Sequence, residues 1–315
     1  MALPATHALV LPAFLTTILF SVSAVCAQRT SKELGGAKAN LLRLVLATFF
    51  LSLWAHTRGK GFSGPAFPIF LLSGLFGFGL GDAALYQTLP RLGSRLSILL
   101  VHCLAAPFAA ATEWVWLGTQ MTFTQIAAAT LILSGVALAL APGRHLQISR
   151  RTFWIGIALG AFAAFGQALG AVLSRHANQV AENAHESIDG LTAAYQRIWA
   201  GLAVGIVFWA LTKRRGDGDV RPANNRPRVW PWVLVNALSG PALGVGCYQW
   251  ALLRHGTGVV LPIVALTPLV IIPFSHYVEG ERPRKRSLAG GAIAVVGVFL
   301  LTGGLEFVRR ELKSF

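Results

Sequence analysis

The amino-acid sequence predicts an all-α integral membrane protein, with ten transmembrane helices arranged as two inverted five-helix repeats. Three observations carry this prediction: an apolar composition, ten segments long enough to cross a bilayer, and a sustained similarity between the two halves of the chain. Of 315 residues, 54% are hydrophobic and 12% charged, with a mean hydropathy of +0.60. That leaves too little polar surface to solvate a globule of this length, so the solvent is lipid. A helix needs about 20 mainly apolar residues to cross the roughly 30 Å hydrocarbon layer, where backbone hydrogen bonds must be closed internally.

The ten segments follow one another with mostly short connections, so that sequence neighbours become antiparallel neighbours in space. The first, 8–26, leads into the small residues of Ser21-Val22-Ser23-Ala24-Val25-Cys26 but has no basic stretch before it, so it is retained as a span rather than removed as a leader. The second, 39–56, carries Arg43 near its start, and the third, 67–88, is rich in glycine and holds Asp82. The fourth, 96–112, contains His102 and Pro107 and closes on Glu113, Trp114 and Trp116, which suit a membrane boundary. The fifth runs over 122–141, and the sixth, 153–173, repeats glycine at 156, 160, 166 and 170. The seventh, 191–211, carries Arg197; the eighth, 229–252, carries Gly240 and Gly244; the ninth, 258–277, is interrupted by Pro262, Pro268 and Pro273; the tenth covers 287–304. The small-xxx-small pairs Gly77/Gly81, Gly240/Gly244, Gly156/Gly160 and Gly166/Gly170 let helix backbones approach closely, which association in lipid requires.

The formal net charge of +15 does not point to nucleic acid, because the basic residues lie between apolar segments rather than along one polar face. They read as topological signals. Arg43 and Arg197 lie within spans; of the other Lys and Arg, 18 fall on the side of residues 29–38, 91–95, 144–151, 213–228 and 282–286, against 7 on the side of the termini. The positive-inside rule makes the richer side cytoplasmic and puts both termini outside. Cys26, Cys103 and Cys247 have no partner at metal-ligand spacing, so packing is their expected role and neither a metal nor a cofactor is expected.

The chain matches itself at an offset of about 162 residues. Leu89-Pro90-Arg91-Leu92-Gly93-Ser94 aligns with Leu252-Leu253-Arg254-His255-Gly256-Thr257, Gly118-Thr119 with Gly280-Glu281, and Gly135-Val136 with Gly297-Val298; Arg43 has its counterpart in Arg197. The halves are 8–141 and 153–304, joined by a basic linker at 142–152 and followed by a polar tail at 305–315. An odd number of helices per half forces the copies into opposite orientations, the plan of many secondary carriers.

The run from Arg282 through Leu301, preceded by Val278-Glu279-Gly280-Glu281, resembles the "GE … G … GV" ending of an EamA repeat from the drug/metabolite transporter superfamily. The first half offers Leu117-Gly118-Thr119-Gln120 and then Leu131 to Leu138, with Thr119 in place of the acid. The resemblance covers both halves and implies a ten-helix carrier with both termini cytoplasmic, the reverse of the orientation that the charge distribution gives.

Asp82 is the sole aspartate within any span, and an ionisable group at that depth marks a site or a structural pair with Arg91 or Arg95. Gly79-Leu80-Gly81-Asp82 also spells the GxGD of intramembrane aspartyl proteases, but that chemistry needs two carboxylates sharing a proton and no second one exists in the spans. His102 can donate, accept or relay a proton. Tyr86-Gln87 in the third span and Tyr248-Gln249-Trp250 in the eighth, with Gln167 in the sixth, offer amides beside aromatic rings for a solute of mixed polarity, or interhelical hydrogen bonds. Pro107 and Pro268 occupy corresponding positions, and matched helix interruptions point to a carrier's binding region. Snorkelling to the nearby helix ends is the favoured role for Arg43 and Arg197, with anion contact as the alternative.

These features together favour a permease or exporter of a small metabolite in the cell's inner membrane, working by alternating access. Its site would lie between the repeats near the bilayer midplane, and its partners would be the solute, the lipid and a coupling proton. An integral membrane enzyme would need a convergent acid, base, nucleophile or metal cluster, and the sequence offers none. A structural membrane subunit would not need Asp82 at depth.

Overall fold

A computed structural model describes residues 5–117, 122–140, 149–214, 229–254, 260, 263–280 and 284–301. The described residues form helices and connecting turns, with no strand among them, and ten helices can be counted. They are α1 (Ala5–Leu34), α2 (Gly36–Thr57), α3 (Phe67–Leu92), α4 (Ser94–Leu117), α5 (Phe123–Leu140), α6 (Arg150–Asn183), α7 (Gly190–Arg214), α8 (230–254), α9 (Thr267–Glu279) and α10 (Lys285–Leu301). Six of them, α1 to α4, α6 and α7, are individually long and apolar enough to cross a membrane.

Single glycines make the tightest connections. Gly35 between α1 and α2 and Gly93 between α3 and α4 take φ of +80° and +83°, which residues with a Cβ rarely adopt. On the same face Ser149 caps α6, its hydroxyl accepting from the Thr152 amide at 3.1 Å. Helices α1 and α6 run on to Leu34 and Asn183, beyond the predicted 26 and 173, because their polar last turns continue the helix past the apolar layer.

Two helices are not regular. Leu75–Gly81 in α3 and Leu238–Ala242 in α8 are wide π-type turns, in which the backbone bonds one residue further along than in an α-helix. They lie at corresponding places in the two halves. The expected match between Pro107 and Pro268 is different: α4 passes through Pro107 unbroken, whereas α9 starts at Thr267, with Pro268 in its first turn. Pro268 has no N–H for the Val264 carbonyl four residues earlier, and the Thr267 hydroxyl donates to that carbonyl at 2.5 Å instead. The linker residues 142–148, the basic stretch 215–228, Pro262 and the tail 305–315 lie outside the described residues.

The packing is close where glycine allows it. A Cβ on Gly135 of α5 would lie 2.5 Å from the Ala294 nitrogen of α10, and one on Gly290 of α10 would lie 2.5 Å from the Ala139 nitrogen of α5. The largest apolar cluster joins α4, α5, α6 and α10 through Leu99, Leu100, Ile132, Ala164 and Ala294; a second joins α2, α3, α7 and α8 through Leu44, Phe78, Ile198 and Ala237. Large apolar side chains such as Phe49, Leu53, Trp154 and Val207 are exposed, while Asn40, Arg43, Asp82, Arg197 and Asn236 are buried. This inside-out distribution suits a bundle with lipid around it and polar groups at its centre.

The two faces of the bundle are distinct. On one, Arg29 lies over the Trp232 ring at 4.5 Å and Arg95 donates to Ser287 at 2.7 Å; on the other, Lys60 pairs with Glu186 at 3.0 Å.

Candidate functional site

The wide turn of α3 sets up the site. Asp82 follows it directly, and its backbone N–H bonds the Gly77 and Gly79 carbonyls. Its side chain points into a cavity of about 100 Å³ at the centre of the bundle. This is room for a few water molecules. The cavity is walled by α1, α2, α3 and α4 of the first half and α6, α7, α8 and the segment before α9 of the second.

Asp82 is 4% exposed and both its oxygens are engaged. Oδ2 takes a short charge-assisted hydrogen bond from the Arg43 guanidinium of α2. Oδ1 accepts from Gln167 Nε2 of α6 at 3.0 Å, so the carboxylate ties the first half to the second. Arg43 is held by a further bond from its Nε to Asn40 Oδ1 at 3.0 Å, and its guanidinium lies 4.6 Å from the centre of the Tyr86 ring. The Tyr86 hydroxyl accepts from Asn236 Nδ2 of α8 at 2.7 Å, and Asn236 Oδ1 accepts from Ser23 of α1 at 2.8 Å. One connected polar network therefore runs through five helices.

The arginines depart from the snorkelling expectation. Arg43 and Arg197 are 5% and 4% exposed and line the cavity instead of reaching for an interface. Position within the span misled here: each lies a few residues from a helix start, but that end is packed inside the bundle. Each guanidinium rests against a glycine of a wide turn in the opposite half. A Cβ on Gly240 would lie 3.2 Å from Arg43 Nη1, and one on Gly77 would lie 2.9 Å from Arg197 Nη2. These two glycines serve as clearance for arginine as well as for helix contact.

The other expected site residues divide clearly. His102, Gln167 and Tyr248 line the cavity with Asp82 and Tyr86, His102 stacking on Phe20 at 5.8 Å. Gln87 does not; it bonds Arg91 within α3, its Oε1 accepting at 3.2 Å. Asp82 therefore pairs with Arg43 and not with Arg91 or Arg95. Gln249 donates to Ser174 at 3.3 Å as an interhelical tie, and Trp250 lines a separate hollow near Trp54, Glu182 and Gly190 on the Lys60–Glu186 face. Pro107 and Pro268 lie off the cavity wall. Asn40, Asn236 and Ser23 belong to the network without having been singled out. The available signal was an asparagine inside an apolar span, which carries the same burial cost in kind as Asp82.

Ten helices, an apolar outer surface and a buried polar cavity at the bundle centre are the anatomy of a membrane transporter. The chain belongs to the EamA-like transporter family, whose model matches residues 8–141 and 154–303, and thereby to the drug/metabolite transporter superfamily. It is 24% identical over 304 residues, covering 96% of each chain, to a protein of Streptantibioticus cattleyicolor named "Probable terminal-alkyne amino-acid exporter". It is also 33% identical over 85 residues, 26% of this chain and 73% of the other, to a protein of Pectobacterium atrosepticum named "Probable 4-amino-4-deoxy-L-arabinose-phosphoundecaprenol flippase subunit ArnE". One crystal structure superposes with a TM-score of 0.64 over 97% of this chain and 99% of its own, at 17% identity. That likeness concerns the fold.

Proposed function

We propose that the chain is a secondary carrier that exports a small metabolite across the cell's inner membrane by alternating access, with two inverted repeats, 8–141 and 153–304, rocking around the Asp82 cavity. The observation that carries this reading is the buried Asp82 carboxylate, held by Arg43 from one half and by Gln167 from the other. The Asp82–Arg43 pair lies within the first half, whereas any relative motion of the halves must break and remake the Asp82–Gln167 bond. Helix pairing supports the inverted arrangement: α1 packs on α8 as α6 packs on α3, α1 packs on α9 as α6 packs on α4, and α2, α4 and α5 each pack on their counterparts α7, α9 and α10. The matched wide turns and matched arginine–glycine contacts support it further. A cavity of only about 100 Å³ also suits a site that must open before a metabolite enters.

Flux of a metabolite panel in proteoliposomes tests the proposal. At least one solute is expected to cross, faster with an imposed proton gradient, and no flux of any solute would overturn the carrier reading. The orientation has its own test. The stretch 213–228 contributes six of the 18 basic residues on the richer side and is expected to be cytoplasmic. Cysteines placed there should resist an impermeant reagent in intact cells and react after lysis; labelling in intact cells would reverse the orientation and put both termini inside.

A further inference from the structure

We propose that Arg197 is the anchor for an anionic group of the transported solute, a carboxylate or a phosphate; this rests on the carrier reading and names its substrate class. The cavity holds an unbalanced set of charges. Among the described residues, its ionised groups are Arg43, Arg197 and Asp82, which leaves one positive charge in excess with His102 neutral and more with His102 protonated. Asp82 is already committed, one oxygen to Arg43 and the other to Gln167.

Arg197 has no such partner. It is 4% exposed, makes no ion pair or hydrogen bond among the described residues, and its Nε is fully enclosed and unsatisfied. Asp82 and Tyr248 act on it only across the cavity. Its guanidinium lies over the Phe78 ring at 5.3 Å, in space left by Gly77 and Gly170. A buried cation without a partner is among the costliest arrangements in a membrane protein, and it persists where a cavity can bring it a counter-charge. Arginine's planar fork of donors matches a carboxylate or a phosphate better than a point charge would. The repeat mate Arg43 shows the alternative: the same position in the other half has its cation fully matched by an internal acid, whereas Arg197 is left for the solute.

The test uses the full chain in chloride-free buffer, with thermal unfolding measured against matched probes: leucine and leucinamide, glycerol 3-phosphate and glycerol, inorganic phosphate, and chloride. The carboxylate or phosphate members are expected to raise the melting temperature by several degrees, the leucine and phosphate arms telling the two sources apart. The amide and the plain alcohol should not. Arg197→Gln should abolish the shift, and Arg197→Lys should keep some of it. Removing an unpaired cation does not threaten folding, and the Lys variant retains the charge if it does. Equal stabilisation by the uncharged or cationic members, by chloride alone, or an undiminished shift in Arg197→Gln would overturn the assignment. So would the absence of any shift. In proteoliposomes, flux restricted to neutral or cationic solutes would refute the anion site and leave the carrier reading intact, whereas an intact anion-dependent shift without flux would do the reverse.

Discussion

Asp82→Asn is expected to destabilise the protein and bring flux close to background. The substitution keeps the volume and one hydrogen-bond acceptor for Gln167, but it leaves Arg43 buried against Asn40 and Tyr86 without its counter-charge. Breaking one side of a buried pair costs about 3 to 5 kcal/mol. The double variant Asp82→Asn/Arg43→Gln separates structure from transport, since replacing both charges can leave stability unchanged or raise it. Its melting temperature should recover most of the loss while flux stays absent, because the acid that links the halves is still missing. Wild-type flux is expected to depend on pH through this carboxylate, and residual flux in either variant should not. Recovery of both stability and flux in the double variant would make the pair structural only and remove Asp82 from the pathway, leaving Gln167, His102 and Tyr248 as the candidates.

How much of this site was legible in the sequence depended on what each residue's signal encodes. Asp82 was readable because an acid inside an apolar span is rare and costly whatever surrounds it. Helix α5 was readable as 122–141 and is found at Phe123–Leu140, because apolar length alone sets a span. The pairing of Asp82 was not readable: Arg91 and Arg95 are near it in sequence, but the partner comes from α2, 39 positions away. Arg43 and Arg197 were placed at the wrong depth for a related reason. Sequence gives the distance of a residue from the end of its helix, but not whether that end faces lipid headgroups or another helix. Asn236 and Tyr86 meet only because α8 packs beside α3 through α1 and α2, which local pattern does not encode.

The wide turns were the least legible feature, and they give the second large expected effect. Gly81 and Gly244 were read as contacts between helices, and each does touch a neighbour: a Cβ on Gly81 would lie 3.4 Å from the Ala163 carbonyl of α6, and one on Gly244 would lie 2.9 Å from the Phe20 ring of α1. The nearer obstacle is internal. The same Cβ atoms would lie 3.0 Å from the Phe76 carbonyl and 2.2 Å from the Ser239 carbonyl, in each case the oxygen five residues earlier. The wide turn pushes that carbonyl into the space a side chain would occupy, so glycine here permits the turn as well as the contact. Gly244→Ala is therefore expected to be the more damaging alanine variant, with a loss at or above the roughly 1 to 3 kcal/mol that is typical of overpacking. Gly81→Ala meets only a tight contact and should fold with a lower melting temperature. Leucine at either position must also push a pair of helices apart, and neither variant should give a folded, active protein. Thermal unfolding and flux of the four variants decide the matter. Stable, active leucine variants at both positions would mean that these glycines face open space and that the turns at 75–81 and 238–242 close into regular helix without loss. In that event the direction in which Asp82 enters the cavity would no longer depend on the turn that precedes it.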